Sequence, residues 1–320
     1  MRAVVHSGAG GPEVLAIRDI SDPSPGPHQV RVRVRASALN RADILQRMGR
    51  YQAPPGWPAE VPGLEYAGEV ESAGAGSRWT AGDRVMGIAG GGAHAELLVV
   101  PEDELLPIPA ALDFAEAAAV PEAFLTAFDA LTVRGRLQRG ERVLIHTVGS
   151  GVGTAAAQLA HAMAATVLGT SRTAEKLERA KALGLDVGID TSRGPFAEQV
   201  GEPVHLVIDT LGAPAFAGNV AVLAPLGRLV LLGFLGGSRG DLDLGPVLRK
   251  RLEVIGTVLR TRAPHERAAL AAAARSGLLP LLESGAVRPV IDRRLPMTAI
   301  ADAHRAMEGN GTFGKIVLEW

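Results

Sequence analysis

Six short apolar stretches between residues 141 and 259 constrain the fold of this chain more than any other feature. Helical segments such as 152–164 and 174–183 lie between them. Apolar strands that alternate with helices predict a parallel sheet covered on both faces, and six such strands match the doubly wound dinucleotide-binding fold. We therefore predict an α/β fold, with strands in ERVLIHT (141–147), ATVLGT (165–170), VGID (187–190), HLVIDT (205–210), GRLVLLG (227–233) and LEVIGTVL (252–259).

The two ends of the chain follow a strand-like pattern. QVRVRVRA (29–36) has period two, so its valines share one face and its arginines the other. We expect the arginines to form a solvated outer face, the alternative being contact with phosphates. Prolines in GRYQAPPGWPAEVPG (49–63) exclude a long helix there. After a helical stretch from 264, RPVIDRRLP and GKIVLEW are predicted to be strands.

Composition narrows the function further. A length of 320 residues suggests two domains, and a net charge of −1 argues against nucleic-acid binding, which needs a clustered cationic excess. Without cysteine there is no disulfide, thiol nucleophile or cysteine-ligated zinc. The apolar run at the start is too short for a signal peptide, and none reaches the ~18 residues of a membrane helix. We expect a soluble cytoplasmic protein with no membrane partner.

The segment HTVGSGVGTAAAQLA (146–160) joins the first of the six strands to an alanine-rich helix. Its glycines are spaced G-x-G-x-G, and Thr154 stands where the stricter G-x-G-x-x-G has its last glycine. Glycine lets a backbone approach a phosphate, and a helix N-terminus offers unpaired N–H groups. Alone, the turn is equally compatible with a plain tight corner, but its position in the six-strand pattern favours a dinucleotide pyrophosphate. The candidate cofactor contacts are Gly149, Ser150, Gly151, Val152 and Gly153.

The end of the second strand of this region distinguishes the two nicotinamide cofactors. An NAD site carries an acid about 20 residues further on, whereas GTSRTAEK here supplies Ser171, Arg172 and Lys176. Since one charge-assisted hydrogen bond contributes about 1.5–3 kcal/mol, two cations on a 2′-phosphate would give roughly a tenfold to a few-thousandfold preference for NADP. The alternative is a capped helix start whose cations face solvent. We predict NADPH as the cofactor.

Several motifs then resemble one family. VPGLEYAGEV, GDRVMG, PEAFLTAFDAL and VLIHTVGSGVGTAAAQLA resemble the medium-chain dehydrogenases/reductases, and ALNRADILQRMGRYQAPPG and GKIVLE resemble their quinone oxidoreductase branch. The resemblance covers essentially the whole chain. It implies a GroES-like β-rich catalytic domain from residues 1–120 and 262–320, a Rossmann domain over 121–261, and NADPH in the cleft between them.

The resemblance also bears on metal. Zinc-dependent members of the family have a cysteine near position 40 and a histidine in a G-H-E motif, where this chain has Asn40 and Leu64. Catalytic zinc needs three protein ligands and an open position. The resemblance therefore implies the zinc-free branch and no metal. A substrate reduced without metal must already accept hydride, as a quinone does, or an α,β-unsaturated carbonyl.

By similarity, Asn40 and Tyr51 face the nicotinamide and the substrate, and either could hydrogen-bond a quinone oxygen as charge develops there. The structural alternatives are a capping residue for Asn40 and a loop anchor for Tyr51. In the same way, Thr126 resembles a nicotinamide-side threonine, and Lys315 in FGKIVL a basic position beside the cofactor. The alternatives are a hydrogen bond to its own helix backbone for Thr126 and a surface role for Lys315. Residues at strand ends, where ligands collect in such sheets, complete the candidate cofactor site: Leu211, Phe234, Leu235, Leu259 and Arg260. Burial alone would also explain the apolar ones.

Three further positions carry expectations of their own. Thr191 in GIDTSRG stands where relatives often have a tyrosine over the adenine or 2′-phosphate, so Thr191 is a cofactor contact without stacking. His146, at a strand end, is expected to pack or to hydrogen-bond backbone. His94, beside three glycines, is expected to be a surface loop residue.

The leading hypothesis is an NADPH:quinone oxidoreductase. The alternatives are an NADPH-dependent 2-alkenal or enone reductase, and a low-turnover NADPH-binding protein of crystallin-like or sensor type. Because the family pairs edge strands between subunits, LEVIGTVL is expected to form a homodimer with a second copy.

Overall fold

The computed structural model describes residues 1–320, which form two compact units. The first unit comprises Met1–Leu125 and Leu259–Trp320, and the second Thr126–Val258. The domain boundaries predicted from the sequence are 120/121 and 261/262. The first junction falls inside the helix Pro121–Phe128, which no composition change marks in the sequence.

The secondary structure runs as follows in chain order. The strands are β1 (Arg2–His6), β2 (Leu15–Asp19), β3 (Gln29–Ala38), β4 (Glu65–Ala73), β5 (Arg84–Ile88), β6 (Leu97–Pro101), β7 (Leu106–Pro107), β8 (Arg142–Ile145), β9 (Thr166–Ser171), β10 (Val187–Asp190), β11 (Val204–Asp209), β12 (Leu223–Leu231), β13 (Glu253–Gly256), β14 (Ile291–Pro296) and β15 (Lys315–Glu319). The helices are α1 (Arg41–Arg47), α2 (Phe114–Ala118), α3 (Pro121–Phe128), α4 (Gly151–Ala162), α5 (Ala174–Lys181), α6 (Ala213–Val222), α7 (Gly245–Lys250), α8 (Pro264–Gly277), α9 (Leu279–Glu283) and α10 (Ile300–Glu308). No helix is both long enough and apolar enough to span a membrane.

The second unit is built on a six-stranded sheet in which all pairings are parallel. Its strand order is β10-β9-β8-β11-β12-β13. Counted from its own first strand this order is 3-2-1-4-5-6, the order of the Rossmann fold, which binds ligands at the carboxyl ends of the strands where the order reverses. That point lies between β8 and β11. The predicted α/β fold with a doubly wound six-stranded sheet is confirmed.

Burial explains why these strands are apolar along their length. Leu144 in β8, Leu168 in β9, Val207 in β11 and Leu229 in β12 are completely buried in one core cluster. Helices cover a parallel sheet on both faces, so neither face of its central strands meets water. The edge strand β13 is shorter than the predicted 252–259, and only its four residues pair with β12.

The first unit is β-rich. Its main sheet has the order β14-β15-β3-β4-β5-β7, with β6 also paired to β3, and β1 and β2 form a separate hairpin. The chain's last strand, β15, lies beside β3 in antiparallel register, with Leu318 opposite Ser37. The two ends of the chain therefore build one sheet.

Strand β3 behaves as its period predicts. Its valines at 30, 32 and 34 are buried in a core cluster of the unit. Its arginines face the other way, where Arg31 and Arg33 pair with Glu71 and Arg35 pairs with Glu69 at 2.6 Å, all on the neighbouring strand β4. The prediction of a solvated outer face is confirmed.

Candidate active site

The glycine turn of the second unit connects β8 to α4. Ser150 is the N-cap of α4, and its Oγ accepts the N–H of Gly153 at 3.0 Å. The amides of Gly151 and Val152, the first two of the helix, have no partner in the protein. These free N–H groups and the positive end of a twelve-residue helix form a site for a phosphate.

The turn is also a tight corner. A Cβ on Gly153 would lie 2.4 Å from the carbonyl oxygen of Thr147 and 2.7 Å from Cα of Val148, both backbone atoms that cannot move aside. Thr147 itself has φ +53°, a left-handed conformation that is unusual for a β-branched residue. The two interpretations of the sequence are therefore not exclusive, because the same turn is a tight corner and leaves two helix amides free.

A buried polar network, missed in the sequence, fixes this edge of the sheet. His146 contacts Thr170 Oγ1 through Nδ1 at 3.0 Å and Asn219 Oδ1 through Nε2 at 2.7 Å. Asn219 in turn donates to Asp209, which accepts the N–H of Leu211 at 2.6 Å. Burial lowers the pKa of His146, so the ring is neutral at pH 7. The prediction that His146 packs is confirmed, but its partners are side chains from β9 and α6 and not backbone.

At the end of β9, four predicted residues are close in space. Ser171 Oγ accepts the N–H of Thr173 at 3.1 Å, and both the N–H and the hydroxyl of Thr191 donate to the carbonyl of Ser171. Arg172 is exposed and forms no hydrogen bond or ion pair, and Lys176 lies in the first turn of α5. The strand end thus presents a hydroxyl and two cations.

Apolar side chains are exposed at the neighbouring strand ends. Phe234 and Leu235 follow β12 and are 57% and 56% exposed, which is unusual for large apolar residues. The N–H of Leu235 donates to the carbonyl of Thr210, just after β11, and that of Gly236 to Leu211. These loops therefore lie together at the carboxyl edge of the sheet. Thr126 belongs to α3, at the start of the second unit.

In the first unit, a buried ion pair organises the other predicted residues. The Nζ of Lys315 lies 2.6 Å from Glu65 Oε1, 2.6 Å from Asn40 Oδ1 and 3.0 Å from the carbonyl of Leu39. Asn40 Nδ2 donates to Glu65 at 2.8 Å and to Ala38 at 3.2 Å. All three ammonium protons and both amide protons are used, so neither side chain has a donor left for a ligand.

The carboxylates beside this ion pair are held firmly. Glu65 is fully buried, and its Oε2 accepts the N–H of Glu122 at 2.8 Å. Asp43 accepts the N–H groups of Asn40 and Gly63. Burial raises the pKa of Glu65 against the opposing effect of Lys315, and burial raises the pKa of Asp43 to about 6. Sequence reasoning did not select these acids, although a buried lysine is almost always paired.

Tyr51 is stacked on a buried arginine. The guanidinium carbon of Arg260 lies 4.6 Å from the centre of the Tyr51 ring. Arg260 donates to the carbonyl of Gly90 at 2.7 and 2.9 Å and to Gln46 Oε1 at 2.6 Å. Burial raises the pKa of Tyr51, so its hydroxyl is neutral at pH 7. Arg260 acts here as a support for Tyr51 and its loop, and the neighbouring Leu259 is buried.

The expectation for His94 is wrong. His94 is fully buried and contacts Ser37 Oγ at 2.7 Å, because the glycines before it fold inward against Trp57 and Pro58. Burial lowers the pKa of His94 to about 3. No group of three His, Cys, Asp or Glu side chains is arranged to hold a metal ion.

Comparisons with known proteins agree with this architecture. Residues 26–110 match the family model of the alcohol dehydrogenase GroES-like domain, so the predicted GroES-like fold is confirmed. Residues 151–275 match the family model of the zinc-binding dehydrogenases. A quinone oxidoreductase from Pseudomonas aeruginosa is 36% identical over 97% of this chain and 96% of its own.

Solved structures extend the likeness to the whole fold. The Escherichia coli quinone oxidoreductase complexed with NADPH has a TM-score of 0.89 and 27% identity, and an NAD-dependent alcohol dehydrogenase has 0.88 and 34%; each covers 100% of both chains. A curated relative of this identity along nearly the full length shows the family. The chain belongs to the medium-chain dehydrogenases/reductases, in their quinone oxidoreductase branch.

Proposed function

We propose that the protein reduces quinones with NADPH and without a metal ion. The observation that carries the proposal is the identity of residues 40 and 64. Asn40, already bonded to Lys315 and Glu65, and the buried Leu64 stand where zinc-dependent members of the family have ligands. A leucine cannot bind zinc. The relatives named quinone oxidoreductases support a quinone as the electron acceptor.

The second unit fits the phosphates of a dinucleotide. The free amides of Gly151 and Val152 would bind the pyrophosphate, with Gly149, Ser150 and Gly153 shaping the turn around it. Ser171, Arg172, Lys176 and Thr191 would surround the 2′-phosphate, which makes NADPH the cofactor. Leu211, Phe234 and Leu235 would contact the cofactor's apolar faces, and Thr126 its nicotinamide end. When bound, the nicotinamide supplies a hydride.

The first unit supplies the groups around the substrate. Tyr51 keeps a neutral hydroxyl that can donate to a quinone oxygen as negative charge develops there. Asn40, whose donors are satisfied, shapes the site through the oxygen lone pair that Lys315 leaves free. Lys315 holds Asn40 in place, Arg260 holds Tyr51, and neither cation donates to the substrate. Leu259, buried next to Arg260 in the sequence, would contribute apolar surface near the cofactor.

A substrate panel tests the proposal. With purified enzyme and NADPH, we expect faster NADPH oxidation with 1,2-naphthoquinone than with a series of 2-alkenals, and no loss of rate after treatment with a zinc chelator. The reverse order of rates would favour an enone reductase. Negligible turnover with tight NADPH binding would favour a crystallin-like or sensor protein. Activity that chelation removes and zinc restores would contradict the metal-free reaction.

We also propose that the protein forms a homodimer through β13. This strand pairs with β12 on one side only, and Val254 on it and Leu248 in the preceding helix are 43% and 80% exposed. Pairing with a second copy would satisfy the free strand edge. Light scattering of the full chain is expected to give the mass of a dimer, and substitution of Val254 by lysine the mass of a monomer. A monomeric unsubstituted protein would refute the dimer.

A further inference from the structure

The proposed reaction, on which this inference rests, needs a proton as well as a hydride. A quinone that has received a hydride is a hydroquinone anion, and one further proton makes it the neutral hydroquinone. The anion is a phenolate, whose ordinary pKa is about 10 as in tyrosine. A group with a lower pKa that reaches the substrate oxygen can therefore protonate it.

The cationic and amide groups of the first unit's site cannot supply this proton. Lys315 uses its three N–H groups on Leu39, Asn40 and Glu65, and Asn40 uses both of its own. A proton lost from Lys315 would leave Glu65 without its buried cation. Asp43 is fully buried and accepts two backbone N–H groups. The donor has to be another group with access to solvent.

Glu122 meets this requirement. It is the second residue of α3, and its backbone N–H donates to Glu65 Oε2 at 2.8 Å, which anchors it beside the Lys315–Glu65–Asn40 cluster. Its own carboxyl group forms no hydrogen bond or ion pair, although the residue is only partly exposed. This carboxyl group is therefore left free to meet solvent or a bound substrate.

The charges around Glu122 favour its acid form. Glu65 on β4 and Asp43 on α1 repel a second negative charge, while Lys315 on β15 and Arg260 attract it. Lys315 and Arg260 are already bonded to other groups, so burial and the two carboxylates dominate, and they raise the pKa of Glu122 to about 8. The negative charge of Glu122 also raises the pKa of the Tyr51 hydroxyl, so the two groups influence each other's protonation.

We propose that Glu122 is the proton donor of quinone reduction. Once the quinone has accepted a hydride, the O–H bond of the Glu122 carboxylic acid breaks and its proton forms an O–H bond with the substrate oxygen. The products are the neutral hydroquinone and the Glu122 carboxylate. A solvent proton then restores the acid through the exposed side of Glu122. Transfer to the phenolate is favourable by about 100-fold, since each pKa unit is a factor of ten.

The pH dependence of kcat with 1,2-naphthoquinone tests the proposal. In the unsubstituted enzyme kcat should be constant below about pH 8 and fall tenfold per unit above it, since only the acid form donates. Glu122→Gln should lower kcat by about 100-fold or more, abolish this high-pH limb and leave KM and NADPH binding nearly unchanged. Asp43, with its pKa of about 6, titrates two units lower and cannot produce the same limb.

Glu283→Gln is the matched control, because Glu283 is exposed in the same unit and forms no bond. Its kcat and pH profile should equal those of the unsubstituted enzyme. A Glu122→Gln enzyme that keeps its rate or its high-pH limb would overturn the proposal. Glu122→Asp, which retains the acid, should recover part of the rate if the loss is chemical and not a folding defect.

A second measurement does not depend on turnover. Infrared titration of the protein without substrate should show a carboxylic acid band that persists to about pH 8 and is absent in Glu122→Gln. A Glu122 that ionises near the ordinary pKa of about 4.3 would refute its role as donor even if quinones are reduced. Conversely, a protein that retains this band but reduces no quinone would refute the proposed function and remove the reaction that Glu122 serves.

Discussion

Replacement of Lys315 with methionine is expected to destabilise the first unit by about 3–5 kcal/mol, the effect of removing one partner from a buried ion pair. Lys315 is 5% exposed and Glu65 is completely buried, so without the ammonium the carboxylate has neither water nor a cation. Methionine keeps most of the side-chain volume, so little of the loss arises from a cavity. Calorimetry should show a transition lowered by about 6–20 °C for a unit of this size.

The dependence on pH separates the lost charge from lost packing. Burial already raises the pKa of Glu65, and without Lys315 the folded state would hold that proton to still higher pH. The unfolded state releases it near about 4.3, so stability falls as the pH rises through the range between the two values. The loss in Lys315→Met should therefore be largest at neutral pH and smaller toward pH 4, where Glu65 is protonated in both states.

Two further variants complete the test. The double variant Lys315→Met with Glu65→Gln removes both charges and should regain a large part of the stability at pH 7. Lys181→Met is the matched control, because Lys181 is 62% exposed and pairs only with Glu178 on its own helix, so a change below about 0.5 kcal/mol is expected. A Lys315→Met protein as stable as the original at pH 7 would show that Glu65 does not depend on this cation.

This ion pair shows why half of the site could not be predicted. Lys315 and Asn40 are 275 positions apart and Glu65 is 25 from Asn40, so no local period reports their contact. The resemblance to a family identified Asn40 and Lys315, but as ligands of cofactor or substrate. The structure shows their polar groups bonded to each other. Glu122 was overlooked because an acid in the first turn of a helix is ordinary.

The second unit was far more predictable, because its signals are local. The stretch 187–190 was assigned to a strand with the bounds that β10 has, and the other strands of the unit differ from prediction only at their ends. The close backbone packing of the glycine turn was not predicted. The carbonyl of Thr147 lies against Gly153, and Thr147 is left-handed, a conformation that threonine rarely adopts.

The cofactor preference is also expected to respond strongly to substitution. We predict that Arg172→Ala with Lys176→Ala lowers the NADPH/NADH ratio of kcat/KM by at least about tenfold, and by up to a few-thousandfold if both cations contact the 2′-phosphate, since each charge-assisted hydrogen bond contributes about 1.5–3 kcal/mol. The fall should come from NADPH, because NADH carries no 2′-phosphate. The exposed Arg172 can turn to a ligand without losing a bond in the protein.

Lys181→Ala is the control for this effect, because it removes a positive charge from the other end of the same helix α5. Screening at physiological salt limits the reach of an exposed charge to about 8 Å, so this variant should keep the original ratio. The two single variants show which cation contributes to the preference. If only Arg172 contacts the 2′-phosphate, Lys176→Ala keeps the original NADPH/NADH ratio of kcat/KM. An unaltered ratio in the double variant would mean that the hydroxyl of Ser171 and the backbone of the β9 end select the cofactor, or that the protein uses NADH equally well.

Because β9 ends without a carboxylate, the double variant is not expected to become an efficient NADH enzyme. An acid that accepts the ribose hydroxyls would still be missing.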